Sequence, residues 1–169
     1  MNKTVNVGLI FKNSIGIVSE VSRKVFNNGG NITQSSMMKL GNHFAFDLTA
    51  TFPDKTKTQM FAREMNYKPT VKSMIGTNVH GLESSAINGH NIFNTSGNNM
   101  PLLTDDTYRS RIKLYSSDNP GIIHSTSEKL ESLNADIISL KSTVTPAPFS
   151  SGPLFSLVAD FDINRDISK

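Results

Sequence analysis

Cysteine is missing from all 169 residues. Its absence excludes disulfides, thiolate metal sites and a cysteine nucleophile, and it fits a reducing compartment. Charge is also scarce, at 18% of residues with a net charge of +3, so nothing in the balance demands a polyanionic partner such as nucleic acid. No apolar run is long enough to span a bilayer, and Met1-Asn2-Lys3-Thr4 leads straight into a strand-like run, so a cytoplasmic protein without membrane contact is expected. The four histidines, His43, His80, His90 and His124, are scattered and not paired at helical spacing. No metal site and no cofactor are expected from them.

What the chain does contain is a repeated corner. Ser117-Asp118-Asn119-Pro120-Gly121-Ile122-Ile123 lies between an alternating, strand-like run and an amphipathic, helix-like run, and Asn13-Ser14-Ile15-Gly16-Ile17-Val18 lies in the same setting earlier. Aligning Gly16 with Gly121 sets an offset of 105 that also matches Lys24 with Lys129 and Ile32 with Ile137. At an offset of 109 the third strands match, Phe46 with Phe155 through Phe52 with Phe161. One supersecondary unit therefore occurs twice. Glycine at such a corner lets a strand turn into a helix whose first N–H groups lack partners, a place that attracts a carboxylate or phosphate.

In order, Val5 to Phe11 alternate as a first strand, and Val18, Val21 and Val25 mark a helix ended by Gly29-Gly30. Asn31 to Lys39 and His43 to Phe52 make a hairpin about Gly41, with Phe44, Phe46, Leu48, Ala50 and Phe52 on one face. Asp54 opens a second helix to Asn66, and Thr70 to Ile75 reads as a fourth strand. Residues 77–106 are rich in Asn, Gly, Ser and Thr and read as a linker. The second unit, 107–169, repeats the pattern with a helix stripe of Ile123, Thr126, Leu130 and Leu133, and ends before a second helix and fourth strand. Its first strand places Arg109, Arg111 and Lys113 on one face.

The fold class expected is α+β, with two ferredoxin-like βαββαβ units having antiparallel sheets, the first over residues 1–76. The turns, the Gly30-Asn31-Ile32 and Ala135-Asp136-Ile137 strand openings, and the Pro146-Ala147-Pro148-Phe149-Ser150 loop resemble tandem ACT domains. Among these, the chain resembles the double-ACT glycine cleavage system transcriptional repressor family. The resemblance covers about residues 4–75 and 108–163. It implies amino-acid sensing, glycine being one candidate, in a homodimer that acts through a protein partner such as a transcription factor and performs no chemistry. In ACT domains, ligands sit between paired units, held by the turn after the first strand and the polar residue that opens the second. Those positions here are Asn13, Ser14, Ile15 and Gly16 with Asn31, and Asp118, Asn119, Pro120 and Gly121 with Asp136. The first turn has Asn13 and Ser14-Ile15 where the family carries an acid and a proline, and Asp136 stands where an Asn is usual.

Three rival classes are weighed against it. RNA binding is suggested by Lys39 to Phe46, which echoes the aromatic strand of an RNA-recognition domain, but Phe44 and Phe46 share the core-like face and Asp47 lies opposite. An acylphosphatase would need an arginine in the first turn, and neither turn has one, so the protein is not expected to be an enzyme. A double domain that only holds other proteins is the third.

Overall fold

The structure is a computed structural model and describes residues 2–66, 107–146 and 152–164. The expected linker, the expected strand at 70–75 and most of the proline loop lie outside the described residues. The elements are β1 (Lys3–Lys12), α1 (Ile17–Asn27), β2 (Asn31–Leu40), β3 (His43–Phe52), α2 (Lys55–Asn66), β4 (Thr107–Ser117), α3 (Ile122–Ser132), β5 (Asp136–Pro146) and β6 (Pro153–Asn164). The fold is α+β, and each half carries the strand, helix, strand, strand order of a ferredoxin-like unit.

The two units do not keep separate sheets. All six strands form one antiparallel sheet in the order β1-β3-β2-β5-β6-β4, joined at its centre where Gln34 to Met38 of β2 run against Thr143 to Ser139 of β5. The repeat offset places a pseudo-twofold axis at that junction. Ser36 of β2 stands opposite Lys141 of β5, its equivalent 105 residues on, and above them Ser22 of α1 meets its own equivalent, Ser127 of α3, at 3.3 Å between hydroxyls. Serine permits this close crossing because its hydroxyl is short and satisfies itself on the helix. Ser22 donates to the Val18 carbonyl at 2.7 Å, and Ser127 to the Ile123 carbonyl at 2.7 Å.

Both units also bulge at the same point, Thr33 and Ile138, where register shifts occur between Ile32 and Gln34 and between Ile137 and Ser139. Each bulge moves the inward positions by one residue, so Ser35 and Met37 point to the core after Ile32, as Leu140 and Ser142 do after Ile137. Ser35 and Ser142 then share a hydrogen bond of 2.7 Å across the junction.

The core is continuous across both halves and includes Val5, Val7, Leu9, Val18, Val21, Val25, Phe44 to Phe52 on alternate residues, Leu140, Phe155 and Leu157. Phe44 is 0% and Phe46 3% exposed, so neither ring can stack a base, which removes the feature on which RNA recognition rested. The α3 stripe differs from expectation. Ile123 and Leu130 are buried as expected, but Ser127 takes the third place, while Leu133 lies past the helix end and is exposed. Contact with α1 selects the small residue there, a pressure that apolar periodicity does not register. Two of the three basic residues on that face of β4 are paired. Arg109 is bidentate to Asp162 at 2.9 and 3.1 Å, and Arg111 to Asp160 at 2.6 and 3.1 Å, both on the neighbouring β6.

Candidate functional site

Gly16 and Gly121 have φ of 88° and 91°, the left-handed conformation that a strand-to-helix corner needs and that other residues adopt at a cost. Neither helix start receives a side-chain cap, although the Ile17 N–H at the start of α1 donates to the Ser14 carbonyl at 3.2 Å. The Asn13 N–H donates to the Asn42 carbonyl at 2.8 Å, and the Asp118 N–H to the Pro153 carbonyl at 3.2 Å, pinning each turn to its own unit's hairpin. The Asn119 side chain bends back to the Ser117 carbonyl at 3.3 Å. Ser14, Ile15, Asn119 and Pro120 are exposed.

The sequence groups each turn with the strand opening of its own unit, and topology corrects that grouping. β1 and β2 both run antiparallel to β3, hence parallel to each other. Asn31 therefore starts at the end of the sheet opposite Asn13, separated by a ten-residue strand, about 30 Å. Because β5 runs antiparallel to β2, the opening residue of each second strand lands beside the turn of the other unit. Asn13 Nδ2 donates to Asp136 Oδ1 at 3.3 Å, and Asn31 Nδ2 to Asp118 Oδ2 at 3.0 Å. Asn13 and Asp118 are equivalents in the repeat, as are Asn31 and Asp136, so one contact is made twice about the pseudo-twofold axis.

The sequence reading missed what surrounds these pairs. Lys39 Nζ donates to Asp136 Oδ2 at 2.5 Å, which supplies a cation to the acid standing where an Asn is usual. Asn13 Oδ1, Asp118 Oδ1 and His124 Nδ1 are buried without a partner among the described residues. Buried acceptors of this kind are costly when left unpaired and are candidates to receive a donor.

Both glycine corners are covered by a residue from the other half. A Cβ on Gly16 would stand 2.4 Å from Glu131 Oε1, and one on Gly121 would stand 2.9 Å from the Phe26 ring. The expectation of bare backbone at both corners is not met. Behind Phe26 remains a cavity of about 10 Å³ bordered by Asn31, Asn119, Gly121 and His124, room for one water. Beside Glu131 is an open cleft of about 440 Å³ bordered by Ser14, Gly16, Ser19, Arg23 and Glu128. Phe26 and Glu131 are themselves 105 apart, so the repeat offset was the signal that could have paired them with the opposite glycines.

Among the described residues, no three His, Cys, Asp or Glu gather as a metal would require, and no helix is long and apolar enough to cross a membrane.

No family model matches the chain, and no curated protein matches it in sequence. Among solved structures, an aspartate kinase from Synechocystis is similar over 96% of this chain and 24% of its own, at 11% identity and a TM-score of 0.53, a likeness of fold. A protein of unknown function from Galdieria sulphuraria aligns over 97% of this chain and 84% of its own at 18% identity and a TM-score of 0.38. A structure provisionally named a glycine cleavage system transcriptional repressor aligns over 98% and 83% at 13% identity and a TM-score of 0.41.

Proposed function

We propose that this chain is a regulatory double domain of ACT type that binds a small amino acid at a corner between its two units and performs no chemistry. The observation that carries this reading is the crossed pairing of Asn13 with Asp136 and of Asn31 with Asp118. At each corner a helix start from one unit faces a polar side chain from the other, so a zwitterion would bridge both, its carboxylate toward the helix and its ammonium toward an unpaired oxygen of Asn13 or Asp118.

Binding is coupled to shape because the corners are covered. To enter, a ligand displaces Glu131 or Phe26, and each belongs to the unit opposite the glycine it covers. The bound form thus favours a different packing of the halves, and a protein partner that prefers one packing reads the ligand by linkage. Glycine and other small amino acids are the ligands proposed, a transcription factor the partner, and a cytoplasmic homodimer the setting. A second reading, a double domain that only docks other proteins, is favoured by the coverage of both glycines.

Thermal unfolding with each of the twenty amino acids separates the two. Ligand at a hundred times its Kd should raise the midpoint by about 5 °C or more, and Asp118→Ala or Asp136→Ala should reduce the rise at the corner affected. If none of the twenty raises it, the docking reading stands and amino-acid sensing fails.

A further inference from the structure

The crossed pairs are alike in plan and unequal in charge. Each joins one Asn to one Asp across the units, but the acid stands on the strand opening at one corner, Asp136, and on the turn at the other, Asp118. Asp136 is engaged through both oxygens: Asn13 Nδ2 donates to Oδ1, and the Lys39 ammonium donates to Oδ2. Asp118 is not. Asn31 Nδ2 donates to its Oδ2, while Oδ1 is buried without a partner, and among the described residues no lysine or arginine is paired with it. The repeat gives the reason, since the register of β2 on β5 carries each residue of β2 onto the one 105 further on and puts Val144 in the place of Lys39. A second buried acceptor without a partner, His124 Nδ1, belongs to the same corner. His124 and Asn31 both border the cavity of about 10 Å³ behind Phe26.

We infer that Asp118 is the seat for a primary ammonium group from outside the chain, the group that Lys39 supplies from within at the opposite corner. The chain then takes one such ligand, because the place at Asp136 is already filled. This rests on the corners being ligand seats, as proposed above, and assigns which end of the ligand is held and where. A carboxylate removed from water and left short of a donor is costly, and an unpaired buried ring nitrogen adds to that cost. An ammonium group carries three N–H donors and a positive charge, so it can serve Asp118 Oδ1 and, with the His124 proton on Nε2, His124 Nδ1 as well. A metal ion suits the place less, since no three metal-binding side chains gather among the described residues. The ammonium head is about the size of the one water that the cavity holds. Anything longer extends past Phe26, whose exposed ring lies over Gly121.

The test follows backbone amide signals by NMR in the full chain, with methylammonium chloride, glycine and potassium chloride as separate probes. Methylammonium should move the signals of Asp118 and Asn119, and potassium at the same concentration should not. Asp118→Asn keeps the shape and drops the charge, and should weaken methylammonium binding about tenfold or more, the factor expected for one charge-assisted hydrogen bond. Val144→Lys sets an ammonium where the repeat puts the counterpart of Lys39, and should abolish binding. Lys39→Met should do the reverse and add methylammonium shifts at Asp136 and Ile137, a readout that holds even if Val144→Lys does not fold. Absent shifts at Asp118 and Asn119, equal shifts with potassium, unchanged affinity in Asp118→Asn, or no new shifts in Lys39→Met would overturn the inference and leave the unpaired acceptors to buried water. If methylammonium behaves as expected and glycine binds nowhere, amino-acid sensing fails while the ammonium seat stands. Glycine binding with methylammonium silent would remove the seat alone.

Discussion

Gly121 shows how much a single atom decides at the corners. Adding a Cβ there meets the Phe26 ring at 2.9 Å in a backbone with φ of 91°, whereas at Gly41, with φ of 59°, nothing lies within 4 Å. Gly41→Ala should therefore cost only the conformational term, about 1 kcal/mol, and Gly121→Ala distinctly more, with part of the excess recovered in Phe26→Ala/Gly121→Ala. Urea unfolding of the four proteins checks this, and equal costs at the two glycines would refute it. Asp160 makes a second residue-scale case. Hydrogen bonds from Arg111 hold its carboxyl below the ordinary carboxylate range. A folded value below the unfolded one means its contribution is present near neutral pH and fades as pH falls through the ordinary aspartate value, about 4, toward the lower folded one. The urea midpoint should drop across that window, less steeply in Arg111→Ala. The corner glycines and the turn residues were legible in the sequence, since their chemistry is local. Phe26 and Glu131 were not, because what they touch lies in the other half.

At the scale of elements, strands and helices were readable wherever one side of the element meets one environment. The Phe44 to Phe52 alternation matches β3 residue for residue because that strand has a core face throughout. The α3 stripe was misread at Thr126 and Leu133 because α3 meets a second helix as well as the sheet, and the residue chosen for that contact is Ser127. The bulges at Thr33 and Ile138 were likewise invisible, since no glycine or proline marks them. They place Ser35 and Ser142 face to face in the core. Ser35→Ala alone should cost about 1–2 kcal/mol by leaving the Ser142 hydroxyl buried with its partner gone. Ser35→Ala with Ser142→Ala should cost less than twice that, since no orphan remains. Strict additivity in chemical unfolding would argue against the shared bond.

For the whole molecule, the sequence revealed a duplication but not how the copies meet. Pairing of β2 with β5 is an edge-to-edge event between segments about a hundred residues apart, and neither strand differs in composition from one that stays at an edge. Its geometry is nonetheless open to a direct trial, because the chain has no cysteine of its own. With hydroxyls 3.3 Å apart, Ser22→Cys/Ser127→Cys should close a disulfide on mild oxidation. The link would enclose a loop of about a hundred residues and should stabilise the fold by roughly 4 kcal/mol relative to the reduced form. Failure to cross-link in the folded protein would contradict the α1 and α3 crossing.

The axis through Ser22 and Ser127 has a further consequence. Halves that share a tether need no encounter to assemble, so their mutual contact is insensitive to how much protein a cell makes. A pair of identical subunits must carry the same residue at both symmetry-related corners. One continuous chain is released from that rule, and it has put a ring over one corner glycine and an acid over the other, so two corners of the same build present different chemistry.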